Sequence, residues 1–244
     1  MRRGRRGRTT RAVAAAGLAV LLAGRTAEAR NLAELLAAVA ANERFEPPAR
    51  ADVTIACTPD CPVVHSTATL VGRGDTLYVE VKDGERALLG PGAVRVAAGG
   101  AVKDAPPGTA FAGTDVRLED LVPFTPASLA TPLVSDDGPA GVVVTAAPGG
   151  PSSYVLLVET IDPDRRIVTK TQEYEGSIGN LTRFLRRSAF TDVGGHLRPG
   201  EIALENLRKG TTTRLTLRWR PMPDAPPSLF DPSTLAKPAG LPAP

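Results

Sequence analysis

The chain has 244 residues, with 29 Lys or Arg, 26 Asp or Glu and two Cys. Its pI of about 9.1 originates in the first 29 residues, because these hold seven of the basic residues and one acidic residue. The other 215 residues carry 22 basic and 25 acidic residues. This balance excludes the basic stripe expected of a nucleic-acid-binding protein, and the length suffices for one large domain with its own core.

Residues 1–29 have the three parts of a secretory signal peptide. Arg2 to Arg11 form a basic region, Ala12 to Gly24 an apolar run, and Ala27-Glu-Ala29 a small-residue cleavage site. The apolar run is too short for a membrane span, which takes about 20 residues. We therefore expect cleavage near Ala29, export of the mature chain, and folding of residues 30–244 as one domain.

Asn31 to Asn42 is predicted to be a helix, since Asn31 can cap its start and the following leucines and Val39 make one apolar stripe. Short runs of alternating residues separated by turn residues follow, and they predict strands. These strands are Ala51–Cys57, Val63–Val71, Thr76–Lys82, Glu85–Leu89 and Ala93–Ala97.

Residues 105–150 are rich in Pro and Gly and are predicted to be irregular. They carry apolar residues, of which Leu118, Leu121 and Phe124 are the candidates for a lid. A loop this long usually has a function or is disordered. A surface connection and a lid both fit, and the apolar content favours the lid.

The C-terminal third predicts an antiparallel meander. In Thr211 to Arg220, Leu215 and Leu217 alternate with arginines, which is the two-residue period of a strand. Similar runs occur at Tyr154–Ile161, Ile167–Tyr174, Leu181–Arg187 and Glu201–Leu207. Many short strands after one helix indicate a mainly β (α+β) fold without a parallel sheet.

The basic residues Arg183, Arg186 and Arg187 lie in one of these runs. They are interpreted as a solvated strand face, with a docking surface for an anionic head group or a membrane partner as the alternative.

Cys57 and Cys61 permit two interpretations. The Cys-x-x-x-Cys-Pro pattern with His65 beyond it resembles the copper site of Sco-type metallochaperones, and thiolates with imidazole suit copper. That site belongs to a thioredoxin fold with alternating helices and strands, whereas only strands are predicted after Cys61. Exported thiols are usually oxidised, so a disulfide is predicted and no metal site.

No catalytic centre is recognisable in the sequence. It has two His residues, and neither lies near a nucleophile, zinc-protease or phosphate-loop motif. We therefore predict that the protein is not an enzyme and uses no cofactor.

Four segments together resemble the LolA-type outer-membrane lipoprotein-sorting proteins. They are Phe111-Ala-Gly-Thr-Asp-Val-Arg-Leu-Glu-Asp-Leu121, Thr169-Lys-Thr-Gln-Glu-Tyr174, Leu204-Glu-Asn-Leu-Arg-Lys-Gly-Thr-Thr-Thr-Arg-Leu215 and Leu229-Phe-Asp-Pro-Ser-Thr-Leu235. The resemblance covers roughly residues 108–238. It implies a curved, incompletely closed antiparallel β-barrel with an N-terminal helix and a short helical lid.

The same resemblance implies a function. LolA-type proteins are non-catalytic periplasmic carriers that hold the acyl chains of a lipoprotein in an apolar cavity. For this chain it implies a monomer whose partners are lipid or lipoprotein acyl chains and an inner-membrane transporter. Two alternatives stay open: a periplasmic sensor of the same fold that binds a protein partner, and a copper or redox protein that uses Cys57 and Cys61.

Apolar residues at alternate positions of the predicted strands are the candidates for the cavity wall. Strand periodicity alone does not separate a lipid cavity from a filled core. The candidates are Val53, Ile55, Leu77, Val79, Val81, Leu156, Val158, Leu215, Leu217 and Trp219.

Overall fold

The computed structural model describes residues 31–59, 61, 64–82, 84–237 and 241. The predicted signal peptide, residues 1–29, lies outside this part of the chain. Residues 31–43 form helix α1, as the sequence predicts. None of the described helices is long and apolar enough to cross a membrane.

Strands make up most of the described chain. They are β1 Phe45–Thr58, β2 His65–Gly74, β3 Thr76–Val81, β4 Arg86–Gly90, β5 Ala93–Ala98, β6 Ala101–Asp104, β7 Leu129–Gly138, β8 Gly141–Pro148, β9 Leu156–Asp162, β10 Ile167–Tyr174, β11 Leu181–Ser188, β12 Thr191–Val193, β13 His196–Arg198, β14 Glu201–Asn206 and β15 Thr211–Pro221. Short 3-10 turns lie at Leu118–Leu121, Pro126–Ser128, Pro227–Phe230 and Pro232–Thr234.

Thirteen of the described strands form one antiparallel sheet in the order β6-β5-β4-β3-β2-β1-β15-β14-β11-β10-β9-β8-β7, and β12 and β13 form a separate hairpin. The centre of the large sheet is the β1–β15 pair, in which Val53 lies opposite Leu217. Strands β6 and β7 are its two edges, so the sheet does not close on itself. The predicted fold class, a mainly β structure with an incompletely closed antiparallel barrel, is confirmed.

The first apolar layer fills the concave side of strands β1–β5, β11, β14 and β15. Val53, Ile55, Leu70, Leu89 and Leu215 are among its buried residues. They pack directly on one another and under the first 3-10 turn, which adds Leu118 and Leu121. The alternation read from the sequence therefore selects the correct face of β1 and β15.

Helix α1 forms a second apolar layer on the other half of the sheet. Leu36 and Val39 are buried against Val144, Ile161 and Val168 of strands β8, β9 and β10. The predicted apolar stripe of the helix explains this docking, because one face of an amphipathic helix must be covered.

The outer face of β2–β4 is covered by the C-terminal segment, residues 222–237. Leu229 and Leu235 pack on Val71, Tyr78 and Leu88. These three residues alternate with the inward-facing ones, so this part of the sheet is apolar on both faces.

Residues 105–150 were predicted to be irregular, but part of this range forms strands. Strands β7 and β8 form a hairpin over its second half, and only residues 105–128, here called the cover segment, lack strands. The register of the hairpin shifts twice and Thr131 has a positive φ of 47°. Such irregularities, with prolines and glycines, hide the two-residue period that identifies a strand.

Candidate functional site

A cavity of about 110 Å³ lies between the cover segment, the end of α1 and the concave face of β9–β11. One part of its wall is apolar and consists of Val122, Phe124, Leu129, Leu157 and Val168. The other part is polar and consists of Glu43, Glu119, Asp120, Ser128, Tyr154, Glu159, Thr171, Glu173 and Arg187. The cavity thus combines an apolar surface with an excess of carboxyl groups over basic groups.

Arg183 lies at the centre of a buried polar network behind the cavity. Its side chain is 1% exposed, and its Nη2 donates to Asp120 Oδ2 at 2.6 Å and to the Asp115 carbonyl at 2.6 Å. Its Nη1 lies 3.1 Å from Glu173 Oε2 and donates to Tyr154 Oη, which in turn donates to Asp120 Oδ1. The network joins the cover segment to β10 and β11 through charged groups.

Burial and the neighbouring charges together determine the pKa values of this network. Burial opposes the charge of Arg183, but Asp120 and Glu173 outweigh it and raise the pKa of the guanidinium. Burial, and next the negative charge of Asp120, raise the pKa of Glu173. The same two causes raise the pKa of Tyr154, which therefore acts as a neutral hydrogen-bonding bridge.

Glu159 is a second buried carboxyl group of the cavity wall. Its Oε2 accepts a hydrogen bond of 2.7 Å from Thr171 Oγ1, and Arg187 Nη1 donates to the same hydroxyl at 3.0 Å. Burial raises the pKa of Glu159, an effect that Arg187 and Thr171 oppose and that Glu43 increases. Burying this carboxylate is therefore unfavourable near neutral pH.

The cover segment is held to the end of the sheet by its acidic residues. Asp115 accepts hydrogen bonds from Asn206 at 3.0 Å and from Lys209 at 2.6 Å, and another from Thr211. Burial opposes ionisation of Asp115, but these three donors outweigh it and lower its pKa. Glu119 accepts a hydrogen bond of 2.9 Å from Ser152 Oγ, in the turn that precedes β9. Three acidic residues of the motif that carried the family resemblance, Asp115, Glu119 and Asp120, thus fasten this segment.

The predicted cavity residues fall into three groups: those buried in the first apolar layer, Trp219 at the edge of that layer, and Leu156 and Val158 of β9. The first is buried in the apolar layer beneath the first 3-10 turn and does not line the cavity: Val53, Ile55, Leu77, Val79, Val81, Leu215 and Leu217. Trp219 packs half-buried at the edge of that layer. Of the lid candidates, Leu118 and Leu121 join the same layer, whereas Phe124 lines the cavity.

Leu156 and Val158 were predicted to point inward, and the structure of β9 does not agree. The inner face of this strand carries Leu157, Glu159 and Ile161, so Leu156 and Val158 lie on the outer face, half-buried. The sequence could not predict this orientation for two reasons. Three consecutive apolar residues begin the strand, so the pattern does not show which of them point inward, and the inner face also contains a glutamate.

The basic residues of β11 do not form one surface. Arg183 and Arg187 point inward beside buried Leu185, whereas Arg186 is exposed on the outer face. The interpretation of all three as a solvated face or docking surface is therefore wrong. The spacing of these residues could have predicted this arrangement, because Arg183, Leu185 and Arg187 are alternate residues and share one side of the strand.

Cys57 and Cys61 are joined by a disulfide with a Cα–Cα distance of 5.8 Å, at the end of β1. The Cys57 sulfur also accepts a hydrogen bond of 3.2 Å from buried Thr213 Oγ1. A copper site at these sulfurs would need prior reduction of the bond.

Glu159→Gln is expected to raise the free energy of unfolding at pH 7 by about 1 kcal/mol. The folded-state pKa of Glu159 is raised, so its contribution is fully present below the ordinary value of 4.5 and is lost as the pH rises through the folded-state pKa. The variant should therefore lose less stability than the wild type between pH 4 and pH 8 in urea unfolding. Glu205→Gln, on the outer face of β14, is the control, and a Glu159→Gln protein less stable than the wild type at pH 7 would contradict this reasoning.

Neither a protein-family model nor a curated protein matches the sequence. Solved structures do match it. A domain from Vibrio parahaemolyticus described as an outer membrane lipoprotein-sorting protein has a TM-score of 0.65 at 18% identity, over 82% of this chain and 98% of that one.

Two further structures agree with this comparison. A DUF1329 family protein from Desulfovibrio piger has a TM-score of 0.66 at 14% identity, over 82% of this chain and 96% of that one. A LolA superfamily protein from Nitrosomonas europaea has a TM-score of 0.65 at 16% identity, over 81% of this chain and 96% of that one. These similarities and the unclosed antiparallel sheet show that the chain has the LolA-like fold.

Proposed function

We propose that the protein is a non-catalytic periplasmic carrier that binds the acyl chain of a lipid or lipoprotein beneath its cover segment. The observation that carries the proposal is the cavity itself. It lies on the concave side of a LolA-like sheet, and its apolar lining consists of Val122, Phe124, Leu129, Leu157 and Val168. Burial of an acyl chain contributes about 0.8 kcal/mol per CH₂ group, so a continuous apolar wall is what such cargo requires.

The cavity must enlarge when cargo enters. Its volume of about 110 Å³ is smaller than the roughly 300–1,000 Å³ of common ligand pockets. The second apolar layer adjoins it, because Leu129 and Val168 belong both to that layer and to the cavity wall. An acyl chain that displaces α1 would replace the contacts of Leu36 and Val39 with contacts of the same kind.

The remaining parts of the proposal follow from the sequence and the fold. The predicted signal peptide, with cleavage near Ala29, supports a periplasmic location of the mature protein. An inner-membrane transporter is the proposed source of cargo, and the carrier acts as a monomer. The similar domain from Vibrio parahaemolyticus is described as a lipoprotein-sorting protein, which supports a lipoprotein as one form of the cargo.

Leu157→Trp is expected to abolish or reduce cargo binding at least about tenfold, because the indole fills the cavity beside Phe124. Val158→Trp is the matched control, since Val158 is the next residue on the outer face of the same strand. The measurement is native mass spectrometry with lipid extraction, on protein exported to the periplasm and purified without detergent. We expect acyl-containing species on the wild type and on Val158→Trp.

Two outcomes would count against the carrier function. Wild-type protein that carries no acyl compound, even after incubation with phospholipid vesicles, would show that the concave face is a closed core. Equal loading of Leu157→Trp and Val158→Trp would place the cargo elsewhere on the molecule.

A further inference from the structure

Two buried carboxyl groups of the cavity are incompletely compensated. Glu159 is 7% exposed, and among the described residues its one hydrogen bond comes from Thr171 and no cation lies within ion-pair distance of it. Glu173 is 2% exposed, and its Oε2 accepts no hydrogen bond, although Arg183 Nη1 lies 3.1 Å away. Both side chains line the cavity.

The cavity wall has an excess of negative charge. Its lining contains the carboxyl groups of Glu43, Glu119, Asp120, Glu159 and Glu173 but one basic side chain, that of Arg187. Arg183 lies behind the wall, where its single positive charge is shared between Asp120 and Glu173. An uncompensated carboxylate in a buried site is unfavourable, and a cation that binds against it offsets part of the desolvation penalty.

The geometry distinguishes between kinds of cation. No group of three or more His, Cys, Asp or Glu residues in the described chain could hold a metal ion. An ammonium group needs less, because it donates up to three hydrogen bonds and requires no fixed coordination geometry. The apolar residues Phe124, Leu129 and Leu157 on the same cavity suit a hydrocarbon chain attached to it.

We propose that this cavity recognises an amphiphile with a cationic, ammonium-type head group, which lies between Glu159 and Glu173 while the hydrocarbon chain contacts the apolar wall. The proposal rests on the carrier function and specifies the class of its cargo. Thr171 Oγ1 donates to Glu159 and itself accepts a hydrogen bond from Arg187, so the two residues hold Glu159 in place through one hydroxyl group. A buried carboxylate that lowers stability is the pattern expected where function opposes stability.

The test compares three ligands with the same twelve-carbon chain: dodecylammonium, dodecanol and dodecanoate. Isothermal titration calorimetry below their aggregation concentrations gives the affinities. Dodecylammonium is expected to bind wild-type protein at least about tenfold more tightly than dodecanol, and dodecanoate least tightly.

Glu159→Gln should reduce the affinity for dodecylammonium about tenfold and change that for dodecanol less than about twofold. Glutamine keeps the shape of the side chain and its hydrogen bond, so the fold is retained, which far-UV circular dichroism checks. Glu205→Gln, on the outer face, should match the wild type for all three ligands.

The outcomes separate this inference from the carrier function. Binding of all three ligands without a preference for dodecylammonium, or an equal affinity of Glu159→Gln for it, would overturn the head-group assignment and leave the carrier function intact. Failure of all three ligands to bind would overturn both.

Discussion

Arg183→Met is expected to lower the free energy of unfolding by about 3–5 kcal/mol. The substitution leaves Asp120 and Glu173 buried without the guanidinium that lies 2.6 Å and 3.1 Å from them. Methionine fills most of the volume but supplies no positive charge or hydrogen bond. Tyr154 loses a donor at the same time, because Arg183 Nη1 donates to its hydroxyl.

Urea unfolding at pH 7, followed by circular dichroism, measures this change. Arg186→Met is the matched control, because Arg186, the next arginine in β11, is exposed on the outer face. Its substitution should lower the free energy of unfolding by less than about 0.5 kcal/mol. Adding Glu173→Gln to Arg183→Met should restore part of the loss by removing one uncompensated carboxylate. Equal stability of the two single variants would show that the network does not depend on Arg183.

Gly149→Ala is expected to lower the free energy of unfolding by about 3 kcal/mol. A Cβ atom at Gly149 would lie 1.7 Å from the Ala127 carbonyl oxygen and 2.8 Å from its carbon. Both are backbone atoms of the second 3-10 turn, so no side-chain rotation relieves the overlap. The end of the cover segment must move, and with it Ser128 and Leu129 of the cavity wall.

The adjacent Gly150 provides the control for this prediction. A Cβ atom there has no atom within 4 Å, so Gly150→Ala should be neutral or slightly stabilising. Thermal unfolding of both variants and titration with dodecanol measure stability and cavity shape separately. An unchanged melting temperature and affinity for Gly149→Ala would show that the cover segment is not held against the hairpin of β7 and β8.

The architecture could be predicted from the sequence because most strands keep their two-residue period. Strand β15 is the clearest case, since Leu215 and Leu217 are buried and Arg214 and Arg218 are exposed. The hairpin of β7 and β8 could not be predicted in the same way. Its prolines, glycines and two register shifts remove the alternation, although Val142, Val144 and Ala146 retain it in β8.

The candidate site could not be located from apolar periodicity, because its inner face is partly charged. A search for apolar inward positions selects Val53, Ile55 and Leu217, which form the filled layer. Glu159 and Glu173 lie at inward positions that the same search rejects. Face assignment by spacing alone, without the assumption that inward means apolar, would have placed Arg183 with Leu185 and directed attention to this network.

The pairing of β1 with β15 has a consequence for how the protein acquires its structure. Val53 and Leu217 lie in neighbouring strands at the centre of the large sheet, so strands from opposite ends of the folded chain must meet before the first apolar layer is complete. Contacts between residues so distant in sequence make folding slow. A chain that crosses a membrane before it folds exposes β1 without its partner until β15 has followed, and an unpaired apolar strand is prone to aggregate. The proposed export of this protein would therefore require protection of the unfolded chain after β1 has crossed the membrane and before β15 has followed.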